Sequence, residues 1–463
     1  MTRVLLVGSG AREHAIAASL AKSSDVQLYA AMSSRNPGIM KLAREAAVIQ
    51  ISDPKTVADY AQRKHVELAV IGPEAPLANG VVNALEEIEI RSVGPTQNLA
   101  ALEGDKAFCR ELLDRHNIPG NPIYRVFTDA ESAESFLETS GPVAIKPAGL
   151  TGGKGVKVSG EDLQTKEDEL AYARQILHNK IGGVQKLVVE ERLDGEEYSL
   201  QAFVDGQDIQ VMPLVQDHKR AYENDSGPNT GGMGSYSDHD HILPFVSRTD
   251  LNISSAIMLD VVRALKKELR EDYRGILYGQ FMLAKSVREE EPSPKLIEFN
   301  CRFGDPEAMN VLPILAEEAD FADICLRITE GSLKKKHVSF ARKATVCKYL
   351  VPSNYPERPT VGQTVSIDEQ AVAGKSAQLF YASVDLIDER VVTTASRTIG
   401  LVGISNTIED AERIAEAATA HVKGPLRHRR DIGTAALLQK RIDHMRHLGA
   451  SIPITRAAQV GIA

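Results

Sequence analysis

No apolar run in the chain approaches the ~18 residues that a membrane-spanning helix needs, so a helical membrane protein is excluded. A basic excess is also missing: 54 Lys and Arg against 63 Asp and Glu give a formal net charge of −9. Non-specific nucleic-acid binding, which Lys and Arg drive by neutralising phosphates, is therefore not expected. Any phosphate chemistry must instead concentrate positive charge locally. Paired cysteines are absent as well. Cys109, Cys301, Cys325 and Cys347 lie far apart with no Cys-x-x-Cys, which argues against a disulfide framework or zinc site and for a reducing compartment. Cys301 has no base at a nucleophile's spacing and reads as a small buried side chain. The first residues, Met1-Thr2-Arg3-Val4-Leu5-Leu6-Val7, run straight into a Gly-rich turn, which reads as a first core strand rather than a signal peptide. The expected location is the cytoplasm. Internal repeats and low-complexity segments are not found either.

What is present is the composition of a globular enzyme, 43% hydrophobic and 25% charged. At 463 residues and ~150 per domain, about three domains are expected. In the first hundred residues the apolar stretches Val4–Val7, Gln27–Ala31, Val48–Ile51 and Leu68–Ile71 alternate with the helical patterns Arg12–Ala21 and Pro54–Lys64. Such βαβ units predict a parallel sheet whose ligands sit at the carboxyl ends of its strands. The loops there are Gly8-Ser9-Gly10-Ala11-Arg12-Glu13, Ser34-Arg35-Asn36-Pro37-Gly38 and Gly72-Pro73-Glu74-Ala75-Pro76-Leu77. The first opens a helix N-terminus suited to an anion. It departs twice from a dinucleotide fingerprint: Glu13 replaces the third glycine, and Met32-Ser33-Ser34 offers no acid to a ribose. A structural tight turn and a sugar-phosphate site remain open as readings.

Further along, a helix is expected from about Gly104, with Lys106 near its start, and then an α+β stretch to about Leu193. The basic break Lys334-Lys335-Lys336 marks a last region, with strand-like alternation at Thr345–Leu350, Gln378–Val384 and Thr398–Val402 and a helix at Ile408–His421. Val143-Ala144-Ile145-Lys146-Pro147 reads as a buried strand ending in a lysine, followed by the turn Gly152-Gly153-Lys154-Gly155. A hairpin of that kind closes amides and ammonium groups over a polyphosphate. It is not a Walker loop, because no helix starting Lys-Ser or Lys-Thr follows. The bland alternative is a Gly-rich hairpin with solvated lysines. Leu187 to Leu193 reads as a strand that breaks into the acidic turn Asp194-Gly195-Glu196-Glu197. In Lys295 to Arg302, period-2 alternation puts Glu298 and Asn300 on one face, as hard oxygen ligands suited to magnesium. Arg302 continues that face and suits a phosphoryl or carboxylate group, or else forms a surface ion pair.

In this order the pieces resemble the ATP-grasp superfamily. The match narrows to the glycinamide ribonucleotide synthetase family at Gly72–Leu77, Leu102–Phe108, Gln216–Arg220, Asp225–Gly234, Ile297–Glu307 and Arg429-Arg430-Asp431-Ile432-Gly433. The resemblance implies an α/β and α+β multidomain fold. Its parts would be an amino-terminal parallel-sheet domain (1–104), a two-lobed ATP-grasp domain (105–334, mobile lobe about 123–190), a carboxyl-terminal α+β domain (335–440) and a tail (441–463). It implies ATP-dependent ligation of glycine to 5-phosphoribosylamine through glycyl phosphate, in de novo purine biosynthesis, with Mg2+ or Mn2+. Lys106, Lys146, Gly152, Gly153 and Lys154 would serve the ATP phosphates. Glu190, Glu191, Leu193 and Glu197 would serve adenine and ribose. Gln280, Glu298 and Asn300 would hold the metal, while Lys146, Lys154, Arg302 and Asp217 carry the chemistry. Gly8, Gly10, Arg12, Glu13, Asn36, Gly38, Pro73, Glu74, Lys219, Arg220, Asn229 and Asp305 would shape the substrate sites. Partners would be small molecules, with transient contacts to neighbouring purine-pathway enzymes, and neither nucleic acid nor membrane. The chain departs from the family pattern at Lys146-Pro147-Ala148-Gly149-Leu150-Thr151, Ser33–Asn36, Phe380–Ser383 and Ala395–Arg397. The rivals are another ATP-grasp ligase, which should lack the 217–220 and 226–234 loops, a nicotinamide oxidoreductase, and a nucleotide-binding regulator without turnover.

Overall fold

Five short, mostly apolar strands open the computed structural model, which describes residues 1–151, 155–286 and 289–452. They are β1 (Thr2–Val7), β2 (Val26–Met32), β3 (Glu45–Val48), β4 (Leu68–Ile71) and β5 (Arg91–Val93), all parallel in the order β3-β2-β1-β4-β5. Val4 to Val7 are completely buried, as a strand covered on both faces requires. Strand order reverses between β1 and β4, so the loops after these two strands flank the sheet's ligand crevice. One strand lies earlier than its apolar pattern suggests. The run Val48–Ile51 supplies only the last residue of β3, and residues 49–52 form a turn that leads to the Asp53 cap of the next helix. As the sheet's edge, β3 is partly exposed and needs no apolar run.

The helix Lys106–Arg115 begins where Asp105 accepts hydrogen bonds from the Ala107 and Phe108 amides. A small antiparallel sheet follows, built from β6 (Tyr124–Phe127), β7 (Val143–Pro147), β8 (Lys157–Val158) and β9 (Leu187–Glu191) in the order β6-β9-β7-β8. Helices Ala130–Thr139 and Lys166–Asn179 back it, giving this lobe a hydrophobic core of its own around Leu137, Ile145, Ile176 and Val189. The expected acidic turn after β9 is not a turn. Arg192 and Leu193 alone link β9 to β10 (Asp194–Asp205), whose first four residues are already paired in the sheet. β11 (Ile209–Val211), β12 (Gln216–Asp217), the hairpin β13 (Arg220–Tyr222) and β14 (Ser226–Asn229), and β15 (Gly234–Ser237) come next.

After the long helix Arg248–Leu269, β16 (Arg274–Lys285) and β17 (Ser293–Asn300) complete the larger sheet, ordered β11-β10-β16-β17. β12 and β15 instead join β18 (Ala344–Pro352) and the strands Ile399–Ser405 and Ala377–Tyr381, so the 216–237 region shares a sheet with the carboxyl-terminal region. The alternation expected over Gln378–Val384 is split between Ala377–Tyr381 and Val384–Ile387, in two different sheets. Among the described residues, no helix is long and apolar enough to cross a membrane.

Candidate active site

The two lobes meet along the last residues of β7, β9 and β17. Glu190, at the end of β9, is buried between two cations. Its Oε1 accepts from Arg110 Nε at 2.7 Å, and its Oε2 accepts from Lys146 Nζ at 2.7 Å. Burial alone would raise the Glu190 carboxyl, but Arg110 and Lys146 outweigh it and hold the group ionised. Burial pushes the Lys146 ammonium down from its ordinary value, against the pull of Glu190. Arg110 also donates to the carbonyls of Leu296 at 2.9 Å and Ile297 at 2.7 Å, so one guanidinium ties the small lobe to β17. Lys106 Nζ donates to the Gly149 carbonyl at 3.3 Å, just beyond β7. Glu191 is occupied by the Ile123 amide and the Ser286 hydroxyl, each at 2.9 Å. Leu193 lies half-buried at the link to β10. Gly152, Gly153 and Lys154 lie outside the described residues.

A bulge shapes the metal candidates. Gln280 pairs with Glu298 and Phe281 with Leu296, leaving Ile297 as an extra residue on β17. Because neighbouring positions on β16 face opposite ways, the bulge sends Leu296 to the Phe281 face and Glu298 to the Gln280 face. Among the described residues, nothing donates a hydrogen bond to the Glu298 carboxylate or pairs with it. Burial would raise its carboxyl, yet Lys219, Lys106, Lys146 and Arg302 together hold it below the usual range. Asn300 Oδ1 accepts from Arg302 Nη2 at 2.9 Å. Gln280 is buried, with Nε2 donating to Glu197 Oε2 at 2.8 Å and Oε1 accepting from the Tyr278 hydroxyl. A carboxylate without a donor, beside an amide oxygen, suits a hard divalent cation.

In the link between β12 and β13, Lys219 Nζ pairs with Glu197 Oε2 at 2.7 Å. Burial opposes the Lys219 charge, but Glu197, Asp217 and Glu298 raise its pKa well above the ordinary value. Burial raises the Asp217 carboxyl, and Glu197 adds to the effect. Glu307 is also buried. Loss of water, reinforced by Asp217, brings its carboxyl up to about 7. The Tyr278 hydroxyl lies 3.0 Å from Glu307 Oε1. Arg220 reaches the small lobe at Glu161 (2.8 Å), and its backbone pairs with Asn229. Asp305 Oδ2 lies 3.2 Å from Arg397 Nη2, and Arg397 also donates to the Gly231 carbonyl at 2.5 Å.

The crevice of the parallel sheet is built around Glu13. Its Oε2 accepts from the Gly10 amide at 2.6 Å, and a Cβ on Gly8 or Gly72 would sit 2.5 or 2.3 Å from its Cγ. Gly8 also has φ +130°, so a side chain there would be strained as well as crowded. Glu13, standing where the third glycine of a fingerprint belongs, thus fills the space that its neighbouring glycines leave. Arg12 is buried and donates to Glu13 at 2.5 Å and to the Phe303 carbonyl at 3.1 Å. Glu74, beside Pro73, sits 3.4 Å from Arg302 and 3.9 Å from Arg12. Burial raises its carboxyl, but these two arginines bring it down to about 2. Arg302 also pairs with buried Glu103 at 3.0 Å, so it joins this crevice to Asn300. Asn36 caps its helix through Gly38 and donates to the carbonyls of Ser9 and Tyr381, each at 2.8 Å. Gly38 lies against the His14 ring, and Arg35 pairs with Asp385 at 3.0 Å.

Arg110, Glu103, Tyr278, Glu307 and Arg397 were not among the residues that the sequence singled out. Arg110 had a signal in its position, one helical turn after Lys106 and so on the same face. Glu307 closes the Ile297–Glu307 motif.

Three family models match the chain: phosphoribosylglycinamide synthetase N domain over residues 2–103, ATP-grasp (A) domain over 104–308 and C domain over 345–435. A protein of Methanothermobacter thermautotrophicus named phosphoribosylamine–glycine ligase is 49% identical over 447 residues, 96% of this chain and 99% of that protein. A protein of the same name from Methanosarcina barkeri is 48% identical, again over 96% and 99%. The crystal structure of phosphoribosylamine–glycine ligase from Thermotoga maritima superposes with a TM-score of 0.76 at 27% identity, covering 93% of this chain and all of that one.

Proposed function

Since the chain belongs to the phosphoribosylglycinamide synthetase family, we propose that it joins glycine to the 1-amino group of 5-phosphoribosylamine in an ATP-dependent ligation of purine biosynthesis, with the groups described above in definite roles. A carboxylate does not acylate an amine at neutral pH, because oxide is a poor leaving group. The glycine carboxylate oxygen therefore attacks the γ-phosphorus, and the bond to the ADP oxygen breaks. The amine then attacks the acyl carbon of glycyl phosphate, and inorganic phosphate leaves carrying that carboxylate oxygen. The nitrogen gives up a proton, which buried Glu307, with its carboxyl at about 7, is suited to take.

Such a reaction asks for positioning and charge neutralisation more than for a covalent nucleophile. Lys106, Lys146 and Lys154 would neutralise the phosphates, while Arg110 and Glu190 hold Lys146 in place. Glu191, Leu193 and Glu197 would line the adenine and ribose. Lys219, Arg302 and Asp217 would handle the acyl and amine groups, with Arg220, Asn229 and Asp305 shaping the acceptor side. Gly8, Gly10, Asn36, Gly38 and Pro73 would shape the crevice for the ribose phosphate, the amides of Gly8, Gly10 and Gly38 being already given to Ala31, Glu13 and Asn36. Glu298 and Asn300, with Gln280 across the sheet, would hold Mg2+ or Mn2+, which neutralises phosphoryl charge when bound. The observation that carries this reading is Glu298, a carboxylate without a donor where Lys106, Lys146, Lys219 and Arg302 converge.

Glycine labelled with 18O in its carboxylate tests the route. One labelled oxygen is expected in the phosphate released per product formed. Unlabelled phosphate accompanying product would contradict an acyl phosphate.

A further inference from the structure

The C-domain match ends at residue 435, but the chain continues through the helix Ala435–His447. Leu438, Ile442 and Met445 bury one side of it. Flanking that side are Arg441 and His444, three residues apart and therefore neighbours on the surface of the helix. Arg441 Nη2 pairs with Asp225 Oδ2 at 2.5 Å, and Nη1 lies 3.2 Å from Glu196 Oε2. His444 Nδ1 lies 2.7 Å from Glu196 Oε1, and its Nε2 lies 3.2 Å from Asp194 Oδ1.

Both carboxylates belong to working segments. Glu196 precedes Glu197 on β10, the partner of Lys219. Asp225 sits in the turn between β13 and β14, which carry Arg220 and Asn229. Asn224 and Asp225 follow one another with φ of 60° and 57°, the left-handed region that Asn and Asp enter more readily than other non-glycine residues. Four contacts from the carboxyl-terminal region hold this turn: the Asn224 amide donates to Asp431 at 2.9 Å, Arg429 pairs with Asp225 Oδ1 at 3.0 Å, Arg441 takes the other Asp225 oxygen, and Lys440 lies 4.0 Å from that same oxygen.

We propose that Arg441 is a positioning residue for acceptor binding. Its guanidinium ties the turn of the β13–β14 hairpin to the start of β10, so that Lys219, Arg220 and Asn229 face the acceptor in fixed register. The inference rests on placing the acceptor at that hairpin. The planar fork of arginine fixes the directions in which it meets two carboxylates, whereas the donors of a lysine ammonium rotate on a flexible stem.

Arg441→Met and Arg441→Lys test it. In Arg441→Met, KM for phosphoribosylamine is expected to rise about tenfold or more, with KM for ATP changing far less. Arg441→Lys should recover part of the loss, and it carries the measurement if the methionine variant folds poorly. A second readout needs no turnover. Well below the melting temperature, trypsin should cut after Lys219 or Arg220 faster in Arg441→Met than in the wild type. A lower melting temperature with unchanged KM and unchanged cleavage would reduce Arg441 to packing and overturn the proposal. If the wild type itself fails to ligate glycine to phosphoribosylamine, the functional reading falls. The cleavage comparison then decides on Arg441 by itself, faster cutting supporting the anchor and equal cutting refuting it.

Discussion

Glu298 brings a negative charge to a place where four cations converge and no side chain among the described residues donates to it. Those cations hold the carboxylate ionised while its oxygens accept no hydrogen bond among the described residues, a setting that suits a ligand for a divalent cation. Glu298→Gln keeps the shape and one oxygen but removes the charge, and hard cations prefer charged oxygens. Turnover is expected to fall on the order of 100-fold or more at low magnesium, by analogy with removing one preorganised charge-stabilising group. The fold should persist, with a melting temperature near that of the wild type. A magnesium titration of activity beside a melting curve checks both, and near-wild-type activity at low magnesium would remove Glu298 from the metal site. Glu298 and Asn300 could be read from sequence because they are two residues apart on one strand. Glu103 and Arg397 could not, because their partners lie far along the chain, as in the Glu103–Arg302 and Arg397–Asp305 pairs.

Elements place these side chains where the sequence pattern alone does not. Strict alternation along β17 would send Leu296 and Glu298 to the same face; the bulge at Ile297 separates them, and a bulge has no signature in apolar periodicity. The extra residue also offers its carbonyl to Arg110, whose helix thereby reaches both lobes. The acidic run after β9 illustrates the same limit. It reads as a turn because acids are rare in strand interiors, yet Glu196 and Glu197 are paired in β10 because Arg441 and Lys219 satisfy them. Central strands such as β1 and β4 were legible, since burial on both faces demands an apolar run. The edge strand β3 escaped that demand and lay earlier than expected. At this scale the account rests on Arg110. Removing one partner of a buried ion pair costs about 3–5 kcal/mol. Arg110→Met should therefore lower the urea midpoint clearly and weaken ATP binding with it, because Lys146 loses the setting of its Glu190 partner. A midpoint within error of the wild type would show that the Arg110–Glu190 pair is not what joins the lobes.

Across the whole molecule, the three regions are joined by two kinds of contact. Exposed pairs such as Arg35–Asp385 and Lys41–Glu369 span the first and last regions but are screened by solvent and contribute little. The buried contacts matter more: the Tyr381 amide on His14 at 3.0 Å and Asn36 on the Tyr381 carbonyl at 2.8 Å fix the parallel-sheet crevice against the last region. His14, so enclosed, is pushed down to about 4 by burial and stays neutral at working pH. The β13–β14 hairpin leans on the same region, through the sheet that β12 and β15 share with β18. The groups proposed for nucleotide, metal and acceptor thus lie on parts that these contacts join, the 216–237 region being braced by the carboxyl-terminal region. The number of regions and the nucleotide lobe were visible in the sequence through motifs. The bracing was not, because it depends on strands more than a hundred residues apart meeting in one sheet. The direct test is phosphate release from ATP and magnesium with phosphoribosylamine, comparing glycine with formate and with bicarbonate. Release is expected with glycine alone, and only when the amine is present. Equal release with formate or bicarbonate would contradict the assignment.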